Sequence, residues 1–157
     1  MTCFWYCDFE AYRFARFQYI VKEISILKSD GTECYTYMVK SPKKYMWTPF
    51  NNKTMQYQYN RHKLKWEDGD YTFNEAMEDI RVKVEDRLVY AKGLEKVNFL
   101  ERELWIVRDL DMIPSFKKLN NCSNQWCELR HGSKCARRKV HEMKHYVDTN
   151  DIKLCTI

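Results

Sequence analysis

Two carboxylates lie two positions apart near the start of the chain, in the run MTCFWYCDFEAYRF. If this run is a β-strand, Asp8 and Glu10 point to the same face, because side chains alternate across a strand with a period of two. Neighbouring carboxylates repel each other unless a cation lies between them. The pair therefore indicates either a metal site for nucleotide chemistry, with Mg²⁺ or Mn²⁺, or an acidic strand end neutralised by Lys22 or Lys92.

A second group of candidate metal ligands lies in CSNQWCELRHGSKC, which begins at position 122. Thiolate and imidazole groups at short spacings are the ligands that tetrahedral Zn²⁺ accepts. The spacing is not that of a zinc finger, and unpaired cysteines also pack in hydrophobic cores. We expect Cys3, Cys7 and Cys34 to be core residues. The candidate zinc ligands in this stretch are Cys122, Cys127, His131 and Cys135.

Basic residues are concentrated in two parts of the chain. A one-sided basic helix contacts nucleic acid or forms a solvated face. Aromatic residues between lysines suit stacking on single-stranded bases, and they equally suit the surface of a homodimer or of a complex with a protein partner. The candidate nucleic-acid-binding residues are Arg130, Lys134, Arg137, Arg138 and Lys144 near the C-terminus, and Lys43, Lys44, Tyr45 and Trp47 in the first half.

The composition is that of a globular domain. The 157 residues are 45% apolar and 31% charged, and the net charge of +5 favours a polyanionic partner. No run of apolar residues is long enough to span a membrane, and the N-terminus lacks the pattern of a signal peptide. We expect a cytoplasmic or nuclear protein that is not secreted, in which clustered cysteines favour metal binding over disulfides.

Hydrophobic periodicity predicts an α/β fold. Three antiparallel strands over about 2–42, with a hairpin turn at Ser-Asp-Gly, come before a helix at about 74–86. Buried strands in RLVYAKG and LWIVRDLDMIP then alternate with short helices in LEKVNFLERE and SFKKLNN, before a final amphipathic helix at about 134–147. The sequence thus predicts a mixed sheet with helices packed on it, in a single domain over 1–150 with a tail over 151–157.

This order of elements is the ribonuclease H-like plan, and its motifs resemble those of the DEDDh 3′–5′ exonucleases. Their Asp-x-Glu motif on the first strand matches Asp8 and Glu10, and LWIVRDLDMIPSFKKLNN is similar to a later exonuclease segment. The resemblance implies further acids, but Lys92-Gly93 and Val97 stand where an Asp is expected. The final helix has two histidines, neither followed by the expected Asp. The resemblance therefore implies a degenerate exonuclease domain.

The lost acids and the Cys/His group also resemble the Maelstrom domain, a ribonuclease H-like domain of germline small-RNA pathways, and related uncharacterised insect proteins. The matching motifs are KGLEK, at 92–96, and HGSKCA, at 131–136. By this resemblance Glu95 is the acidic ligand of a structural Zn²⁺, with Cys127, His131 and Cys135 completing the four and Cys122 as a substitute for Cys127. The resemblance implies single-stranded RNA as the ligand.

The sequence is compatible with three functions. The first is binding of nucleic acid, single-stranded RNA in particular, by a zinc-stabilised degenerate exonuclease domain that acts in RNA silencing or its suppression. The second is an active metal-dependent nuclease that combines Asp8 and Glu10 with acids from elsewhere, such as Asp109 and Asp111. The third is a protein-interaction module on the same fold.

Overall fold

An antiparallel hairpin of two long strands begins the fold in the computed structural model, which describes residues 3–15, 18–42, 66, 69–113 and 135–154. A third strand pairs with the second, which gives the predicted antiparallel meander. Two shorter strands then run parallel to the first. The strands are β1 (Trp5–Ala15), β2 (Gln18–Lys28), β3 (Cys34–Met38), β4 (Leu88–Ala91) and β5 (Ile106–Asp109), and their order in the sheet is β3-β2-β1-β4-β5.

The turn between β2 and β3 lies where the sequence predicts it. Gly31 has a φ of 79°, a left-handed conformation that glycine adopts without the steric cost of a Cβ atom. The Asp30 carboxylate accepts hydrogen bonds from the backbone and hydroxyl of Thr32, as in other Asx turns. This local chemistry sets the point at which the chain reverses.

The described helices are α1 (Phe73–Val84), α2 (Leu94–Glu101) and α3 (Cys135–Thr149). Thr72 caps α1 in a capping box, in which Thr72 and Glu75 each accept a hydrogen bond from the backbone N–H of the other. The buried faces of α1 and α3 are those that the helical period predicts. They comprise Ala76, Met77, Ile80 and Val84 in α1, and Ala136, Val140, Met143 and Val147 in α3.

The helices cover both faces of the sheet. Alternate residues of β1, represented by Cys7 and Phe9, pack in one core with α1 and α2. Tyr6, on the other face, packs with the apolar side of α3 in a second core. Because side chains alternate along a strand, Asp8 and Glu10 lie on the same face as Tyr6, the face that α3 covers.

The three cysteines that the sequence predicts in the core differ in burial. Cys7 is a core residue as predicted, whereas Cys3 and Cys34 are only half-buried. The short helix predicted in SFKKLNN lies outside the described residues. The division into a domain and a tail remains a prediction, although Ile152 and Leu154 pack against the α3 core. No helix in the described part of the chain is long and apolar enough to cross a membrane.

Candidate functional site

Three carboxylates form an acidic cluster, Asp8, Glu10 and Glu23, on the face of the sheet beneath α3. Asp8 is 2% exposed and Glu23 is fully buried. The β1–β2 register places Glu23 directly opposite Glu10. Sequence reasoning missed Glu23, because its position opposite Glu10 depends on the β1–β2 register, which the predicted turn between β2 and β3 does not set. The cluster therefore has one more acid than the Asp-x-Glu motif indicates.

Lys96 neutralises Asp8. Its ammonium lies 2.7 Å from Oδ1 of Asp8 and 2.7 Å from the carbonyl oxygen of Phe9, so one lysine both pairs with the acid and binds the backbone beside it. The lysine comes from α2, and its side chain is 24% exposed. The second oxygen of Asp8, Oδ2, is buried and has no hydrogen-bond partner among the described residues.

Lys139 neutralises Glu10 from the other helix. Its ammonium donates to Oε1 of Glu10 at 2.6 Å, and α3 supplies it. The expectation that Lys22 or Lys92 bridges the acidic pair is wrong. Lys22 donates instead to the Trp66 carbonyl and to Ser41. Lys92 lies before α2, where its side chain pairs with Asp111 at 2.6 Å.

Glu23 lies against the first turn of α3. Its Oε2 accepts a long hydrogen bond, 3.4 Å, from the backbone N–H of Arg137, while Oε1 is buried without a partner in the described part of the chain. Burial raises the pKa of Glu23 to about 8, against the backbone hydrogen bonds, and the charges of Glu10 and Asp8 add to the rise. Glu23 therefore holds a proton at neutral pH, and two carboxylates remain to balance two ammonium groups.

The residues of this cluster do not fit a pair of divalent ions. Such a site needs several carboxylates whose oxygens face the metals, whereas here the two acids of the motif each hold a lysine ammonium. Asp109 and Asp111 are also engaged, because Asp109 accepts from the backbone of Gly93 and Asp111 pairs with Lys92. Within the described ranges, no group of three or more His, Cys, Asp or Glu residues is arranged to hold a metal ion.

Of the predicted zinc ligands, only the Glu95 side chain lies among the described residues. One oxygen of Glu95 accepts from Arg13 and the other from the Tyr19 hydroxyl, each at 3.0 Å. Burial, together with the hydrogen bond to Glu95, raises the pKa of Tyr19 to about 12, so the phenol keeps the proton that it donates. Cys122, Cys127, His131 and the Cys135 side chain lie outside the described residues, and the zinc site remains a prediction.

The basic residues of α3 are mostly paired within the protein. Arg138 pairs with Glu142 and Lys144 with Asp148, each one turn along the helix. Arg137 is exposed. The remaining candidates for nucleic-acid binding, Lys43, Lys44, Tyr45, Trp47, Arg130 and Lys134, lie outside the part of the chain that the structure describes.

Comparison with known proteins gives a structural match. No protein-family model matches the chain, and no curated protein matches it. Among solved structures, the zinc-bound form of an E. coli ExoI complex with single-stranded DNA aligns with 95% of the chain at a TM-score of 0.58 and 11% identity. The chain has an exonuclease-like, ribonuclease H-like fold. This confirms the predicted fold class.

The match is limited to part of the neighbour. The aligned region spans 41% of the ExoI chain. At this level of identity the likeness concerns the fold alone, because unrelated functions share one fold and function depends on the residues of the site. What the present chain does must therefore be inferred from its own side chains.

Proposed function

We propose that this protein binds single-stranded nucleic acid, RNA in particular, through an exonuclease-like domain that has lost metal-dependent cleavage. The observation that carries the proposal is the pairing of Asp8 with Lys96 and of Glu10 with Lys139. These are the two acids that match the exonuclease motif. A lysine on each of two helices now supplies the positive charge that divalent ions supply in a two-metal nuclease.

The charges of the acidic cluster support this loss of cleavage. With Glu23 protonated, Asp8 and Glu10 balance Lys96 and Lys139, so the site is close to neutral. A Mg²⁺ ion would have to displace an ammonium that lies within 2.7 Å of a carboxylate oxygen. It would also have to gain near-octahedral oxygen coordination in the same space. Both requirements disfavour metal binding.

The distribution of charge along the sequence supports a nucleic-acid partner. Between positions 43 and 65 there are six Lys or Arg residues and no acid, and between 114 and 134 there are four with the single acid Glu128. The first of these segments also contains Trp47 and several tyrosines. Cations bind phosphates and aromatic rings stack on bases, which together are typical of single-strand binding.

The preference for RNA, and a role in RNA silencing or its suppression, rest on the resemblance to the Maelstrom domain. The same resemblance motivates a structural zinc ion. Glu95 would have to release Arg13 and Tyr19 to ligate it. Metal analysis of purified protein tests this: we expect stoichiometric zinc that is lost in a Cys135→Ser variant, and a metal-free native protein would refute it.

A combined binding and nuclease assay tests the main proposal. Labelled single- and double-stranded RNA and DNA are incubated with the protein in Mg²⁺, in Mn²⁺ and in EDTA. We expect salt-dependent binding of single strands that EDTA does not abolish, and no cleavage in either metal. Cleavage that Asp8→Asn abolishes would establish an active nuclease instead. Failure to bind any nucleic acid would favour a protein-interaction module.

A further inference from the structure

The cations of α3 fall into two classes. Three of them form ion pairs, Arg138 with Glu142, Lys139 with Glu10, and Lys144 with Asp148. Arg137 differs, because among the described residues its hydrogen bond to an acid comes from its backbone N–H, which donates to Glu23. Its side chain is exposed and forms no ion pair with any described carboxylate. The Arg137 guanidinium, at the N-terminal end of the helix, therefore has no ion-pair partner in the described part of the chain.

Two histidines lie in line with Arg137 along the surface of the helix. His141 and His145 follow Arg137 at intervals of four residues and are exposed like it. Residues four apart are neighbours on a helix and are displaced by about 6 Å along its axis. We call Arg137, His141 and His145 the α3 stripe. A guanidinium fork and imidazole N–H groups are hydrogen-bond donors that suit anions.

The surroundings of the stripe are electropositive. Partial burial lowers the pKa of His141, and the positive charges of Arg137 and Lys144 lower it further. Burial and neighbouring positive charges both disfavour the charged form of an imidazole. His145 lies one turn further on, where a ring nitrogen is 3.5 Å from the Thr149 hydroxyl. An anion bound here would accept hydrogen bonds from the Arg137 guanidinium and from imidazole N–H groups.

We propose that the α3 stripe binds the phosphate backbone of the single-stranded nucleic acid, while Arg138 and Lys144 serve to hold neighbouring acids. This inference rests on the proposed function and adds to it the place of contact. Phosphates suit the stripe because they recur at regular intervals along a strand, as the donors do along the helix. A guanidinium also binds two phosphate oxygens at once.

The test compares two variants that differ in the kind of cation removed. The stripe variant is Arg137→Gln/His141→Gln/His145→Gln, and the contrast variant is Arg138→Gln/Lys144→Gln. The contrast variant loses two Arg or Lys side chains, whereas the stripe variant loses one. A purely non-specific charge effect would therefore weaken the contrast variant more.

We expect the opposite order in fluorescence anisotropy titrations with a labelled single-stranded RNA. The stripe variant should bind roughly tenfold more weakly than the wild type and lower the slope of log K against log salt by about one. The contrast variant should change by less. Circular dichroism spectra that match the wild type would show that α3 remains folded in both variants.

The other outcomes overturn the inference. An equal or greater loss in the contrast variant would place the contact on the paired cations. Wild-type affinity in both variants would move the contact away from α3 while leaving the proposed function standing. If the wild type binds no nucleic acid but binds a polyglutamate peptide through the stripe, the partner is an acidic protein, and both proposals fail.

Discussion

Glu23 is an acid whose protonation at neutral pH follows mainly from its burial, to which the charge of Glu10 opposite it adds. It is fully buried, and the neighbouring acids are already paired with lysines. A carboxyl group with a folded-state pKa of about 8 and an unfolded value near 4.5 keeps its proton in the native state after the unfolded chain has released it. Over that interval the native state binds more protons, so the contribution of Glu23 to stability falls as the pH rises.

A Glu23→Gln variant isolates this effect. We expect the free energy of unfolding of the wild type, relative to the variant, to decrease from about pH 4.5 to about pH 8 and to level off above that range. Urea denaturation at pH 5, 7 and 9 measures the difference. Parallel stability curves for the two proteins across this range would show that Glu23 does not retain its proton.

The lysines of the acidic cluster permit a second test at the level of single residues. In a Lys96→Gln/Lys139→Gln variant, Asp8 and Glu10 lose their counterions, and removing one partner of a buried pair costs about 3 kcal/mol. We expect a lower melting temperature. Mn²⁺ should partly restore it, because a divalent ion can then compensate the negative charge of the two carboxylates. The wild type should show no comparable rise.

Lys92→Gln is the control for this experiment. Lys92 pairs with Asp111, whose side chain is 43% exposed, so water can replace the lost cation. Its melting temperature should stay close to that of the wild type with or without Mn²⁺. A Mn²⁺-dependent rise in the wild type equal to that of the double variant would contradict the assignment of Lys96 and Lys139 as fixed counterions.

At the level of elements, patterns in the sequence predicted the β2–β3 turn and the buried helix faces, each of which depends on a single segment. The Asp-Gly turn and the buried faces of α1 and α3 follow from local spacing, and the structure has them where the sequence places them. The sequence pattern did not predict which lysine neutralises Asp8. Lys96 faces Asp8 only because of the way α2 packs on the sheet, which is a property of tertiary contacts that no single segment encodes.

The β1–β2 register likewise could not be predicted from a single segment. Between Glu10 and Ala11 the pairing skips Lys22, which lies in an irregularity of β2 and turns toward the Trp66 carbonyl. Such bulges add one residue to one strand and change which side chains share a face. The surroundings of Lys22 therefore depend on this irregularity, which the sequence pattern of β2 alone does not predict.

The capping box of α1 gives a prediction for a single element. Thr72→Ala removes the acceptor of the Glu75 backbone N–H, and we expect the free energy of unfolding to fall by about 1 kcal/mol. Thr72→Ser keeps the hydroxyl and should lose much less. Chemical denaturation of the two variants checks this, and an equal loss in both would mean that the hydroxyl does not cap the helix.

At the level of the whole molecule, positive charge is unevenly distributed between segments. The stretches 43–65 and 114–134 hold ten of the 27 basic residues and one of the 22 acidic residues. In the rest of the chain acids outnumber bases. Nucleic-acid binding that depends on charge should therefore also respond to substitutions in these stretches.

A Lys43→Gln/Lys44→Gln variant tests this distribution. If both lysines contact phosphates, the slope of log affinity against log salt should fall by about two, and affinity at low salt should fall several-fold. An Arg81→Gln/Lys83→Gln variant removes the same charge from α1, where both side chains pair with acids. Equal losses in the two variants would indicate a long-range charge effect and no local contact.

The two lysines of the acidic cluster have a consequence for cooperativity. Lys96 belongs to α2, which packs on one face of the sheet, and Lys139 belongs to α3, which packs on the other, yet both hold acids of β1. Local opening of either helix would break an ion pair and leave a carboxylate with uncompensated charge. Both helices are therefore coupled to β1 through an ion pair. We expect the amide hydrogens of α2 and α3 to exchange with solvent as one cooperative unit.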